Sequence, residues 1–214
     1  ERRMIMSTVK IENISKKFGS KEIFHNFSME IEDGDFVCIS GESGKGKSTL
    51  LNMIGLLDTP DSGDIIINGK KNVRFNSKDG RELMKNKISY VFQNYGLVDD
   101  QTVEYNLMIS GRFSGKNKKG DLENALERVG LSKDVLDQKV FTLSGGEQQR
   151  VALARIYLKD SDIILADEPT GSLDANNRDK VMHILKDMND IGKTVIIVTH
   201  DAEVVKCAKR TVQI

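Results

Sequence analysis

Residues 9–31 alternate apolar and polar side chains in "VKIEN", "KEIFHN" and "FSMEIE", with the turn-like "KKFGS" between them. That period of two predicts small antiparallel strands. "DFVCIS" (residues 35–40) is nearly continuous in apolar strand formers, the pattern of a parallel strand buried on both faces. After a glycine-rich break, "STLLNMIGLL" spaces its Leu and Met residues at helical intervals, and "GDIIINGK" predicts another strand. Residues 94–139 are more polar and mostly helical in period, as in "DLENALERVGL", and predict an inserted helical lobe. The order then becomes helix ("SGGEQQRVALARIYLKD"), strand ("IILADE"), helix ("RDKVMHILKDMNDIG") and strand ("TVIIVTH"). Such alternation predicts a parallel sheet covered by helices on both faces. The chain stops at Ile214 inside what reads as a final strand, so a short tail is expected beyond it.

The break between the first buried strand and its helix reads "GESGKGKSTLL". Gly41, Gly46, Lys47 and Ser48 fit G-x-x-x-x-G-K-[ST] in the strand-to-helix setting that the motif requires. Glycines let several backbone amides turn toward one phosphate, and the following helix adds the positive end of its dipole. Lys47 would reach the β and γ phosphates, and the Ser48 hydroxyl would hold Mg²⁺. A flexible turn that happens to carry lysines is the bland alternative, but the pattern arises by chance in roughly one such chain in a hundred.

Kinases, GTPases and transport ATPases share that cradle, so the rest of the chain must separate them. "IILADEPTGSLD" ends an apolar strand in Asp167 and Glu168. One carboxylate there can hold a Mg²⁺ shell and the other can polarise an attacking water. "LSGGEQQR" opens a helix with Ser144, Gly145 and Gly146, a second anion site made of free helix amides. Ser144 and Glu147 also spell a capping box, which would aim those amides. His200 follows the apolar "TVIIV" and so falls at a strand's carboxyl end, where open α/β sheets bind ligands. His25 and His183 have no motif around them and read as solvated or partly buried.

Charge narrows the partners. The 32 basic and 32 acidic side chains cancel, so no overall field attracts nucleic acid or an anionic membrane, and no nucleic acid partner is expected. Cys38 and Cys207 lack metal-type spacing and read as reduced thiols of a cytosolic protein, with Cys38 a small hydrophobe inside its strand. No apolar run reaches the ~20 residues of a membrane span, and "ERRMIMSTVK" lacks the apolar stretch of a signal peptide. Either Met4 or Met6 could initiate the chain. A length of 214 residues with 38% hydrophobic content fits one domain with an elaboration.

These motifs, in this order, resemble those of the ATP-binding subunits of ABC transporters over nearly the whole chain. The resemblance implies an α/β fold of the P-loop NTPase class, with a RecA-like parallel sheet core, a small antiparallel β-subdomain and an inserted helical subdomain. The core would span about residues 1–93 and 151–214, and the helical subdomain about 94–150. It implies a Walker A loop of Gly41, Glu42, Ser43, Gly44, Lys45, Gly46, Lys47, Ser48 and Thr49, and a Q-loop glutamine, Gln93, in "YVFQNYG". The signature would be residues 143–147 and include Ser144, Gly145, Gly146 and Glu147. Walker B would end at Asp167, followed by a catalytic Glu168, a D-loop ending at Asp174 and a switch histidine, His200. Phe18 falls where the family places an aromatic against adenine, although tyrosine is commoner there. Lys45 adds a second lysine to the loop, and Glu147 stands where relatives often carry glutamine.

By the same resemblance the cofactors are ATP and Mg²⁺, the metal held by Ser48, Gln93 and Asp167, and Lys47, Gln93, Glu168 and His200 serve hydrolysis. Two chains would sandwich ATP, each nucleotide lying between one Walker A loop and the other chain's signature, so an ATP-dependent homodimer is implied. "FQNYGLVDDQTVEYNL" and "NMIGLLDTPDSGDIIING" resemble the branch serving macrolide export, lipoprotein release and bacteriocin (lactococcin-type) or antimicrobial-peptide export. The implied role is to power a membrane export complex from the cytoplasmic face, docked on an integral membrane permease, with a periplasmic or extracellular adaptor as a further partner. Tyr95, Leu97 and Val98 are the expected permease contacts. The alternative is a non-transport ABC ATPase of the cell-division type; a soluble small-molecule kinase has no use for "LSGGE".

Overall fold

In a computed structural model that describes residues 7–112 and 114–214, β1 (Ser7–Phe18) and β2 (Lys21–Glu32) form an antiparallel pair. Met4 and Met6 lie outside the described residues. The strands are longer than the alternation predicts, because β1 continues through the lysines of "KKFGS". Lys16 can lie buried there because its ammonium bonds Asp58 Oδ1 and the Thr59 carbonyl, each at 2.7 Å. Register shifts at Ile11/Ile14 and Lys16/Lys17 absorb the positions that break the period of two.

β3 (Phe36–Ser40) runs into the glycine loop and α1 (Lys47–Ile54). β4 (Ser62–Ile67) and β5 (Lys70–Lys71) return to the antiparallel sheet, whose order is β2-β1-β4-β5. α2 (Lys78–Asn86) then leads to β6 (Ile88–Val91), whose four residues are too few to show a period. α3 (Val103–Gly111), α4 (Lys119–Arg128) and α5 (Gly145–Tyr157) follow, with α3 and α4 both packed on α5. β7 (Ile163–Asp167), α6 (Ala175–Asp190), β8 (Thr194–Thr199), α7 (Ala202–Cys207) and β9 (Arg210–Gln213) complete the chain.

The second sheet is parallel throughout, in the order β6-β7-β8-β3-β9. Alternate residues of its central strands enter different cores, as a pleat requires. Val37, Ile39, Ile196 and Val198 pack with Leu50, Leu51 and Ile54 of α1 and with the antiparallel sheet. Phe36, Val195 and Ile197 pack with Val151 of α5 and Leu185 of α6 on the other face. Covering on both faces is why β3, β7 and β8 read as continuous apolar runs. Cys38 is fully buried in β3, and burial pushes its thiol up to about 11, so it behaves as a hydrophobe. His25 and His183 are exposed beside Glu22 and Asp187.

Because these strands are parallel, the segments that follow β3, β6, β7 and β8 all emerge at one edge of the sheet. The Gly41 loop, Gln93, Glu168 and His200 are therefore neighbours by topology, although they are spread over 160 positions of sequence.

Candidate active site

The glycine loop curls from β3 into α1, whose N-cap is Gly46 in a left-handed conformation with φ of +103°. A Cβ there would stand 2.3 Å from Ile23 Cγ2, so glycine is required both by the torsion and by the contact with β2. No side chain caps α1 and no acidic residue lies in its first turn, which leaves its amides to an anion. Lys47 is buried, and its ammonium donates to the carbonyls of Gly41 at 2.8 Å and Glu42 at 2.9 Å, across the mouth of the loop. Glu42, Ser43, Gly44 and Lys45 form the exposed rim, with Lys45 3.6 Å from the Glu42 carboxylate and Thr49 half-buried behind them.

The Ser48 hydroxyl donates to Asp167 Oδ1 at 2.9 Å, joining the first turn of α1 to the end of β7. Burial lifts Asp167 above the ordinary carboxylate range, against the pull of that bond, and the neighbouring Glu168 adds to the rise. A divalent cation would oppose both effects, and a hydroxyl with a carboxylate is a hard-oxygen donor pair of the kind Mg²⁺ accepts alongside phosphate oxygens. Among the described residues no cluster of three or more His, Cys, Asp or Glu side chains could hold a metal by itself. Gln93 follows β6 with an exposed side chain; a Cβ at Gly171 would lie 4.0 Å from its Nε2, which places the amide beside the turn after Glu168.

Glu168 has φ of +43°, unusual for a non-glycine residue. Both carboxylate oxygens are held. Thr199 Oγ1 donates to Oε2 at 2.8 Å, and His200 Nδ1 lies 2.7 Å from Oε1. Thr199 is in turn fixed, since it is fully buried and accepts from the Asp201 amide at 3.0 Å. Thr199 was hidden in the sequence because a threonine at the end of "TVIIVT" reads only as a strand former.

The segment 144–147, where the sequence leads one to expect a second anion site, forms the cap of α5. Ser144 caps α5: its amide and hydroxyl donate to Glu147 Oε2 at 2.9 and 2.7 Å, and the Glu147 amide returns a longer bond of 3.4 Å to Ser144 Oγ. Those bonds from Ser144, the hydroxyl's foremost, hold the Glu147 carboxyl below its usual range. Gly145 and Gly146 are the first two residues of α5. Asp174 caps α6, accepting from the Asn177 amide. Among the described residues no hydrogen bond or ion pair joins 144–147 or Asp174 to the glycine loop. Phe18, at the end of β1, is 53% exposed, with Lys16 Nζ 5.1 Å from its ring centre. The structure thus gathers Lys47, Ser48, Asp167, Glu168 and His200, and keeps the α5 cap apart from them.

The family model described as ABC transporter matches residues 24–171. The chain belongs to the ABC transporter family. Relatives within it include the macrolide export ATP-binding/permease protein MacB of Campylobacter jejuni, 40% identical over 95% of this chain and 32% of the relative. MacB of Aggregatibacter actinomycetemcomitans is 39% identical over 98% of this chain and 33% of the relative. This ABC chain therefore spans about a third of the length of the curated relatives it matches. Among solved structures, the ATP-binding cassette MJ0796, a dimer in a post-hydrolysis state with ADP and Pi, superposes with a TM-score of 0.86. It is 36% identical, over 96% of this chain and 94% of that one. The cassette cbiO1 of Clostridium perfringens, part of a cbiONQ transporter complex, reaches a TM-score of 0.82 at 27% identity, over 97% of this chain and 84% of that one. The α/β fold is that of ABC ATPase cassettes, with the antiparallel sheet beside the parallel one.

Proposed function

We propose that this chain is the ATP-hydrolysing unit of a membrane export complex, and that it works as two copies closed head to tail on two ATP molecules. One observation carries the reading: the glycine loop lies with Asp167, Glu168 and His200 at one sheet edge, while among the described residues the α5 cap makes no hydrogen bond or ion pair to that loop. A copy therefore lends one half of a site and borrows the other. That the similar cassette solved with ADP and Pi is a dimer supports the pairing of two copies.

In such a pair Lys47 exchanges the Gly41 and Glu42 carbonyls for the β and γ phosphates, and the free amides of α1 take the remaining phosphate charge. Ser48, Asp167 and Gln93 would hold Mg²⁺, which supplies charge neutralisation across the phosphates. Glu168, already anchored by Thr199, orients the water and accepts its proton. His200, freed from Glu168 Oε1, turns its imidazole toward the departing γ-phosphate. Ser144, Gly145, Gly146 and Glu147 close over the phosphates from the partner copy, with Asp174 beside them. Catalysis is then mostly positioning and charge stabilisation. Phosphate release measured with Mg²⁺ and again with excess chelator tests this. Turnover that depends on Mg²⁺ is expected, and an ATP-saturated chain that never releases phosphate would contradict it.

Phe18 is proposed to stack on adenine. Phe18→Ala is expected to weaken ATP binding by roughly 1–3 kcal/mol, while leaving the affinity for ribose triphosphate, which lacks the base, unchanged. Equal losses for the two ligands in a binding titration would remove Phe18 from that role.

The work of export lies outside the ATPase core, and no described helix is long and apolar enough to cross a membrane. We place the permease contact at a cavity of about 510 Å³ between α2, α3 and α5, lined by Tyr90, Tyr95, Ile109 and Ile156 together with the cations Arg155 and Lys159. An extracytoplasmic adaptor on the permease and a position at the cytoplasmic membrane face belong to the same proposal. Leu97 is half-buried against the helical core, so it serves packing as well as any partner, and Val98 is exposed beside it. Tyr95→Ser with Ile109→Ser is expected to lower the melting temperature by no more than a few degrees, because Ile109 is 43% exposed and Tyr95 only half-buried. Co-purification of the permease in detergent is expected to fall at least tenfold, since interface energy concentrates in a few anchors. Undiminished co-purification would move the contact elsewhere.

A further inference from the structure

We infer that Asn177 is a positioning residue that locks the signature helix α5 to the D-loop, so that one copy offers both to its partner's nucleotide as a single rigid surface. This rests on the paired-chain reading. Asn177 lies in the first turn of α6, and its backbone amide and Nδ2 donate to the two oxygens of Asp174, at 2.9 and 2.7 Å. Its Oδ1 accepts from Arg150 Nη1 at 2.9 Å. The amide has one consistent orientation, since a carboxylate only accepts and a guanidinium only donates. Arg150 is a buried residue of α5, one turn beyond Glu147, and its Nε has no partner among the described residues.

The contact with the signature is direct. A Cβ on Gly146 would stand 2.5 Å from Asn177 Cγ and 2.6 Å from its Oδ1, so glycine at this position is what admits the asparagine. A second tie lies close by, where Gln149 Nε2 donates to the Pro169 carbonyl at 2.6 Å in the buried interior. The helix that aims the α5 amides is thus fastened to the segment after β7 at two points, one of them through Asn177 to Asp174. An ordinary helix cap needs only the Asp174 bond to the Asn177 backbone. The two side-chain bonds of Asn177 lie outside that need and connect segments that, among the described residues, make no hydrogen bond or ion pair to their own chain's glycine loop.

Removing the side chain leaves Arg150 buried with a missing acceptor and lets α5 and the D-loop settle separately. The consequence falls on the neighbouring copy's ATP, which gives a test by mixing. Chains are combined before ATP is added, with Glu168→Gln in excess so that each mixed dimer has one competent acid, and first-turnover phosphate release is read. In Asn177→Ala with Glu168→Gln, the working site borrows an intact α5 and D-loop, and a rate within about twofold of the wild-type mixture is expected. In wild type with the Glu168→Gln/Asn177→Ala double variant, the working site borrows the loosened surface, and about a tenfold loss is expected, the scale of one charge-assisted hydrogen bond. Arg150→Met breaks the same tie from α5 and is expected to give the same asymmetry, which decides the matter if Asn177→Ala folds poorly. Equal rates in the two mixtures, or a loss confined to the first, would overturn the inference. A single-chain mass for the mixed chains at saturating ATP, read by light scattering, would count against the paired chains themselves.

Discussion

Glu168→Gln is expected to slow ATP turnover by about a thousandfold while leaving ATP affinity within about threefold of wild type. The amide keeps the shape of the side chain and can still meet Thr199 and His200, which hold the two carboxylate oxygens at 2.8 and 2.7 Å. What it loses is the ability to accept a proton from water, and general bases contribute 10²–10⁴ to rate. Phosphate release at saturating ATP, paired with an equilibrium binding titration, checks both halves. Turnover within tenfold of wild type would assign the base elsewhere, and a matching collapse of affinity would make Glu168 a binding group instead.

Lys47→Ala is expected to lower ATP affinity by about a hundredfold or more. Lys47 is the buried ammonium at the mouth of the loop, held by two carbonyls and close to where α1 presents uncapped amides. A charge-assisted bond from such an ammonium to a phosphate oxygen is worth roughly 1.5–3 kcal/mol. The carbonyls of Gly41 and Glu42 lose their donor in the variant, so a melting curve should accompany the titration to separate misfolding from lost binding. A folded variant that binds ATP as wild type does would remove the loop from the phosphate site.

The parts of this molecule that the sequence announces are those where one local rule acts alone. β3, β7 and β8 are buried on both faces, and their central residues are all apolar, so they appear as nearly unbroken runs. The Ser144–Glu147 box and the Gly46 turn are likewise written in adjacent residues. Elements decided by distant partners stayed hidden. Lys16 belongs to a strand only because Asp58 receives it, and the turn expected at "KKFGS" narrows to the residues after Phe18. β6 has four residues, too few for a period, and takes its place by pairing with β7. At the site, the carboxylates and the lysine were legible through their motifs, whereas Thr199, Asn177 and Arg150 act through hydrogen bonds to residues as many as 31 positions away. Leu97 shows the opposite error: without a period it reads as free surface, yet the helical core takes half of it.

The account stands on two copies sharing each ATP, and the mass of the Glu168→Gln chain in solution measures this most directly. Size exclusion with light scattering, run with ATP and Mg²⁺ and again without nucleotide, should return the 23.9 kDa chain in the absence of ATP and twice that mass in its presence. Slow hydrolysis would keep the closed pair from dissociating. A single-chain mass at saturating ATP, with binding confirmed by titration, would contradict it.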